Sequence, residues 1–153
     1  MKAAFLSSAG EVDVREVPDP PAPADGLVLQ VEACGVCGSD LRRWKEGPPP
    51  GTVDIIPGHE LAGVVADVGR NVTRYVLGDR LAVAPDVHCG LCYYCRRGMY
   101  NLCQDLHLVG ITPGYPGGMA EKMVLTDEIL TNGIVHPMPP GLPFANGALA
   151  EPC

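Results

Sequence analysis

The stretch LVLQVEA (Leu27–Ala33) decides how the chain is read. Leu27, Leu29, Val31 and Ala33 fall on one side of an extended backbone and Val28, Gln30 and Glu32 on the other, which is the period-2 pattern of a half-buried strand. Similar short runs recur at KAAFLS (2–7), EVDVREV (11–17), ELAGVVADVG (60–69), GDRLAVAP (78–85) and GGMAEKMVL (117–125), separated by joints rich in Gly, Pro or Asp. With 19 Gly and 16 Pro among 153 residues, long helices have little room, so the expected class is mainly β with short helices. One such helix is expected in SDLRRWKEG (39–47), with Ser39 or Asp40 as its N-cap. PDPPAPADG (18–26) lies between two strand candidates and reads as a stiff connection rather than a domain linker. The length suits one domain over residues 1–153 with one core.

Charge and hydropathy exclude several classes of partner. A net charge of −7, from 11 Lys+Arg against 18 Asp+Glu, leaves too little positive potential to neutralise a phosphate backbone, so no nucleic-acid partner is expected. No apolar run approaches the roughly 20 residues of a membrane-spanning helix, and no membrane partner is expected. The opening MKAAFLSSAGEVDVREV lacks the long apolar centre of a secretion signal, so a cytoplasmic location is expected.

A reducing compartment leaves thiols free to bind metal. CGLCYYCRRGMYNLC (89–103) holds four of the seven cysteines, and Cys89, Cys92, Cys95 and Cys103 follow the spacing C-x2-C-x2-C-x7-C. Short loops turn three thiolates toward one point and a longer loop brings the fourth, which is the donor set of a closed structural zinc site. Two disulfides or free surface thiols are the plainer alternative. Arg96 and Arg97 either offset the negative charge of such a centre or stand as a solvated pair.

A second constellation is dispersed over CGVCGSD (34–40), PGHELAG (57–63) and the terminal AEPC (150–153). Cys37 and His59 are a thiolate and an imidazole, and Glu60 or Glu151 would supply a carboxylate. Together they make a mixed S/N/O shell of the kind that leaves a catalytic zinc one open position. Read from composition alone, a histidine such as His59 after a Pro-Gly turn is more often a loop residue than a ligand.

CGVCGSDL, GHELAGVVADVG and CGLCYYCRRGMYNLC, in this order and at these spacings, resemble the N-terminal half of zinc-dependent medium-chain alcohol dehydrogenases, nearest to the sorbitol and threonine dehydrogenase branches. The resemblance spans nearly the whole chain. It implies a GroES-like, partly open β-barrel with a four-cysteine zinc lobe at about 86–106, and two zinc ions per chain. It also implies Cys37, His59 and Glu60 at the catalytic zinc, with Glu151 as a further ligand, directly or through water. Ser39 would pass the alcohol proton away and Asp40 would orient the histidine. Cys89, Cys92, Cys95 and Cys103 match the structural zinc. Cys34 reads as a small core residue, Cys153 as a terminal thiol, and His88 and His107 as loop residues.

The implied activity is oxidation of an alcohol or polyol by hydride transfer to NAD or NADP, in an enzyme that is oligomeric when intact. Two departures stand out. Many relatives carry a histidine two residues after the aspartate, where this chain has Arg42, which cannot shuttle a proton near neutral pH. Ser39 would then pass its proton to water or a cofactor hydroxyl, and Arg42 is free to hold an anionic substrate group or a phosphate. No G-x-G-x-x-G turn appears, so the implied Rossmann domain is expected to be absent from this chain, and the chain alone is expected to give no turnover. Trp44 either lines the substrate pocket or packs elsewhere. Two other classes remain: a non-catalytic, zinc-stabilised structural or interaction module, and a redox-responsive thiol protein that releases zinc on oxidation.

Overall fold

The computed structural model describes residues 1–52 and 54–153. Among these, eight strands and three short helices follow in the order β1 (Lys2–Ser8), β2 (Glu11–Glu16), β3 (Leu27–Cys34), α1 (Gly38–Glu46), β4 (Leu61–Val68), β5 (Arg80–Val87), β6 (His107–Leu108), β7 (Lys122–Leu125), α2 (Asp127–Asn132), β8 (Gly133–Pro137) and α3 (Phe144–Ala148). The mainly β class expected from LVLQVEA and its sister runs is the class observed. β1 and β2 form a hairpin of their own, and the other six strands make one antiparallel sheet in the order β6-β5-β4-β3-β7, with β8 also paired to β5. This sheet curls into a half-barrel.

Alternation along β5 shows how the sequence sets the inner face of the sheet: Leu81, Val83, Pro85 and Val87 are buried while the residues between them are half-exposed. The aliphatic members of that set join Leu27, Leu29, Leu61, Val65, Met123 and Leu125 in the main core. Full burial of each such side chain contributes about 1.5–3 kcal/mol. A smaller cluster on the other face, centred on Ala62, Met138 and Ala148, seats α3 against Ala33 and Ala82. Small residues at 33, 62 and 82 let that helix approach the sheet closely.

Three details differ from the sequence reading. Ala33 does not share a face with Leu27 and Leu29, because the β3–β4 register shifts between Val31 and Ala33 and the extra residue turns the strand end over. β2 is exposed on nearly every residue rather than half-buried, with Val14 at 70%. It is an edge strand whose charged residues blunt further pairing. Finally, α1 begins earlier than expected: Cys37, not Ser39 or Asp40, is its N-cap, and Asp40 Oδ2 reaches back to accept from the Cys37 N–H at 2.9 Å. A carboxylate three residues into a helix is well placed for this return bond, which leaves Ser39 inside the first turn.

Candidate metal centres

The cysteine lobe is an excursion between β5 and β6, closed at its base by the pairs Val87–His107 and Asp86–Leu108. Inside it two single 3-10 turns, Cys95–Arg97 and Tyr100–Leu102, bend the chain so tightly that Cys89, Cys92, Cys95 and Cys103 all point inward. Their four Sγ atoms lie within 4.8 Å of one another, with Cys92–Cys95 at 3.5 Å and Cys89–Cys95 at 3.9 Å. These separations are far beyond an S–S bond of about 2.05 Å. They match the edge of about 3.8 Å that a tetrahedron of sulfurs has around zinc at about 2.3 Å.

Backbone amides also face the sulfurs. Cys103 Sγ accepts from the N–H groups of Cys89 at 3.3 Å and Asp105 at 3.4 Å, and Cys89 Sγ accepts from Cys92 N–H at 3.4 Å. Such donors favour thiolate over thiol. The N–H groups of Cys95 and Gln104 hold the Cys92 thiol down to about 6, whereas burial pushes Cys95 up to about 12. Without a cation, four thiolates this close repel one another, so the donor set of the lobe fits a soft dication. Arg97 stacks on the Tyr93 ring at 3.6 Å and Arg96 is exposed, so neither guanidinium is placed by the structure as a specific partner of the sulfurs.

The second centre depends on topology. β3 runs into the Cys37 loop and β4 begins just after His59 and Glu60; because Cys34 pairs with Leu61, the end of one strand lies beside the start of the other. Cys37, His59 and Glu60 thus meet, with one ligand atom of each within 4.8 Å of the others. Two glycines make the approach possible. Gly58 has φ +94, and a Cβ there would stand 2.6 Å from Cys34 Sγ. A Cβ on Gly35 would collide with the Glu60 carboxylate at Oε2. The sequence reading singled out neither glycine for this role.

His59 and Glu60 are the two buried charged or polar residues of the core, at 4% and 6% exposure, among the described residues. His59 Nδ1 is fully buried with no hydrogen-bond partner, and Asp40 Oδ1 stands 3.8 Å from it. Ser39 Oγ, in the first turn of α1, is likewise buried and unpaired. Orphaned polar atoms of this kind cost about 1–3 kcal/mol each, a cost that a fold bears where a ligand completes them. The donor set therefore fits a zinc ion with thiolate, imidazole and carboxylate ligands.

Glu151 stands outside the 4.8 Å set but close enough to feel it. Burial raises its carboxyl above the ordinary range, His59 counters this, and Glu60 and Asp86 add to it. Cys34 lies half-buried at the strand end, where burial and then the charges of Asp40 and Glu60 push its thiol up to about 12. Cys153 is exposed. His88 and His107 stack on Tyr100 and Tyr115, at 4.0 and 4.7 Å, and His107 belongs to β6 rather than to a loop. Trp44 is 43% exposed on α1.

Comparison with known proteins adds an independent line. The family model for the alcohol dehydrogenase GroES-like domain matches residues 23–139. Sorbitol dehydrogenase of Bacillus subtilis is 36% identical, over 99% of this chain and 42% of its own length. Among solved structures, galactitol-1-phosphate dehydrogenase from Escherichia coli has a TM-score of 0.86 at 31% identity, covering 99% of this chain and 42% of that one. A chain assigned as a zinc-binding dehydrogenase from Sinorhizobium meliloti 1021, bound to NADP, has a TM-score of 0.82 at 35% identity, covering 99% and 42%. The chain thus spans less than half the length of these proteins.

Proposed function

Because the chain belongs to the alcohol dehydrogenase GroES-like domain family, we propose that it is the zinc-binding catalytic portion of an NAD(P)-dependent polyol dehydrogenase. The observation that carries this reading is the meeting of Cys37, His59 and Glu60, drawn from two separate loops, around one point. The names of the relatives, sorbitol and galactitol-1-phosphate dehydrogenases, favour a polyol as the substrate class, and the NADP-bound neighbour favours a nicotinamide cofactor held by a further domain.

Zinc bound by Cys37, His59 and Glu60 would supply Lewis acidity toward the oxygen of the substrate alcohol. The chain's own groups do the rest. Asp40, anchored through the Cys37 N–H, faces His59 Nδ1 and sets the orientation of the imidazole. Ser39 Oγ, with no protein partner, is free to accept the hydroxyl proton of the alcohol while passing its own to water or a cofactor hydroxyl. Glu151, with its carboxyl raised by burial, stands by as a further oxygen donor to the same centre. Cys89, Cys92, Cys95 and Cys103 would hold a second zinc, which would fix the lobe. A purely structural module gains nothing from burying Ser39 Oγ and His59 Nδ1 unpaired.

Zinc per chain, measured by inductively coupled plasma mass spectrometry on protein purified without chelators, tests the reading. Two zincs per chain are expected, falling to one in Cys37→Ser. One zinc, unchanged by that substitution, would leave a zinc-stapled module as the better description.

A further inference from the structure

Arg42, Arg43 and Glu46 lie three, four and seven residues after Ser39 along α1, so the four share one face of the helix. That face borders a cavity of about 350 Å³ closed on its other side by Leu108, Gly110 and Ile111. The space holds roughly ten waters. Asp40 also lines it and stands 3.8 Å from His59 Nδ1, so one side chain separates the cavity from the Cys37, His59 and Glu60 centre.

The two guanidiniums of this cavity are not paired with its carboxylates. Elsewhere several guanidiniums are occupied: Arg15 pairs with Asp54 and Asp13, Arg80 donates to the carbonyl of Leu142, and Arg97 to that of Tyr93. Arg42 and Arg43 form no ion pair among the described residues, although the chain carries a net charge of −7 and acceptors are abundant. Asp40 is committed to the Cys37 N–H on the side of the metal centre. Ser39 Oγ is buried and unpartnered at the near end. Two unpaired guanidiniums on the middle of α1 favour an anion with several oxygens in one plane or fork.

We propose that this cavity is a phosphate-ester subsite, in which Arg42 and Arg43 grip the phosphate of a ligand whose hydroxyl end reaches the metal centre. The proposal rests on the polyol dehydrogenase reading for the identity of that centre, and it narrows the substrate or cofactor group that the enzyme holds there. Arg42 and Arg43 follow Cys37 by five and six residues, about 7.5 and 9 Å of helix rise. A phosphate at that distance sits several bonds from a reacting carbinol, as in a short phosphorylated polyol; the phosphates of a dinucleotide offer the same chemistry. Glu46, one turn further on, repels the same anion and sets how tightly it is held.

Isothermal titration of the zinc-loaded chain with inorganic phosphate, sn-glycerol 3-phosphate, glycerol and ADP, in a buffer free of other polyanions, tests it. Phosphate and glycerol phosphate should bind and glycerol should not. Arg42→Gln and Arg43→Gln should each weaken phosphate about tenfold, and Glu46→Gln should tighten it about threefold. That opposite sign is not expected of a merely structural side chain. Glycerol phosphate binding more tightly than ADP makes the substrate the source of the phosphate; the reverse makes it the cofactor. Phosphate affinity that is absent, or indifferent to all three substitutions, overturns the proposal. Zinc counted in the same samples separates the two readings: loss of the Cys37-dependent zinc with phosphate binding intact refutes the dehydrogenase reading and leaves the anion site standing.

Discussion

The cysteine lobe gathers four donors from one short stretch, Cys89 to Cys103, whereas Cys37, His59 and Glu60 come from two loops that meet only because β3 and β4 pair antiparallel. The first is a local device. Its geometry follows from turns that the same residues make, so spacing alone announces it. The second is a consequence of the fold, and a change that leaves its ligands intact but disturbs the strand ends should still damage it. Metal would contribute differently too: in the lobe it would replace a core, while the second centre already sits at the rim of one.

The sharpest way to break the comparison is Cys95→Ser, since Cys95 is the buried member of the four. Without metal the segment between β5 and β6 has little apolar packing to hold it. The substitution should remove one zinc and about 3 kcal/mol of stability, a fall in Tm of roughly 10 °C for a domain of this size. A thermal melt with zinc analysis checks it, and an unchanged Tm would mean the lobe is held by its packing instead.

Gly58→Ala attacks the second centre without touching a ligand. The left-handed φ of +94 disfavours any side chain, and the new Cβ would meet Cys34 Sγ at 2.6 Å and Met119 N at 3.0 Å. A cost of about 2 kcal/mol is expected, with loss of the Cys37-dependent zinc while the lobe keeps its own. Equal loss of both metals would show that the two centres are not independent. Cys37→Ser, which removes a ligand but no core side chain, should lower Tm by less than about 3 °C. A fall as large as that of Cys95→Ser would erase the distinction between local staple and fold-assembled site.

The same contrast explains what the sequence disclosed. Strands such as β5 were legible because their alternation is uninterrupted, and the lobe because its spacing is self-contained. β8, over GIVHP, was not, for its central Val135 is buried between exposed neighbours in a run ended by proline. The turn-over of Ala33 was hidden because a register shift belongs to two strands at once, and LVLQVEA describes only one of them. Likewise the N-cap passed from Ser39 to Cys37 because Asp40 bonds back to the Cys37 amide, a choice that favours holding Cys37 at the loop end over capping with a hydroxyl. His59 and Glu60 were legible only as candidate donors of a mixed shell, which the resemblance of their motif strengthened, since no periodicity marks the two.

A contact remote from both centres supplies the smallest effect and a control. Asp19, in the proline-rich connection, binds the Lys122 ammonium on β7 and the Met1 amino group, and these cations hold its carboxyl down to about 2 from an ordinary 3.8. A carboxyl depressed in the folded state stabilises the protein above its unfolded value and loses that contribution as pH falls through the folded one. The gain from Asp19 is therefore fully present above about pH 4 and gone near pH 2. Wild type and Asp19→Asn should differ in Tm above pH 4 and converge toward pH 2, and acid release of zinc, common to both, drops out of the difference. The exposed position keeps the gap small. A gap constant from pH 5 to pH 2 would mean that Asp19 acts through shape rather than charge.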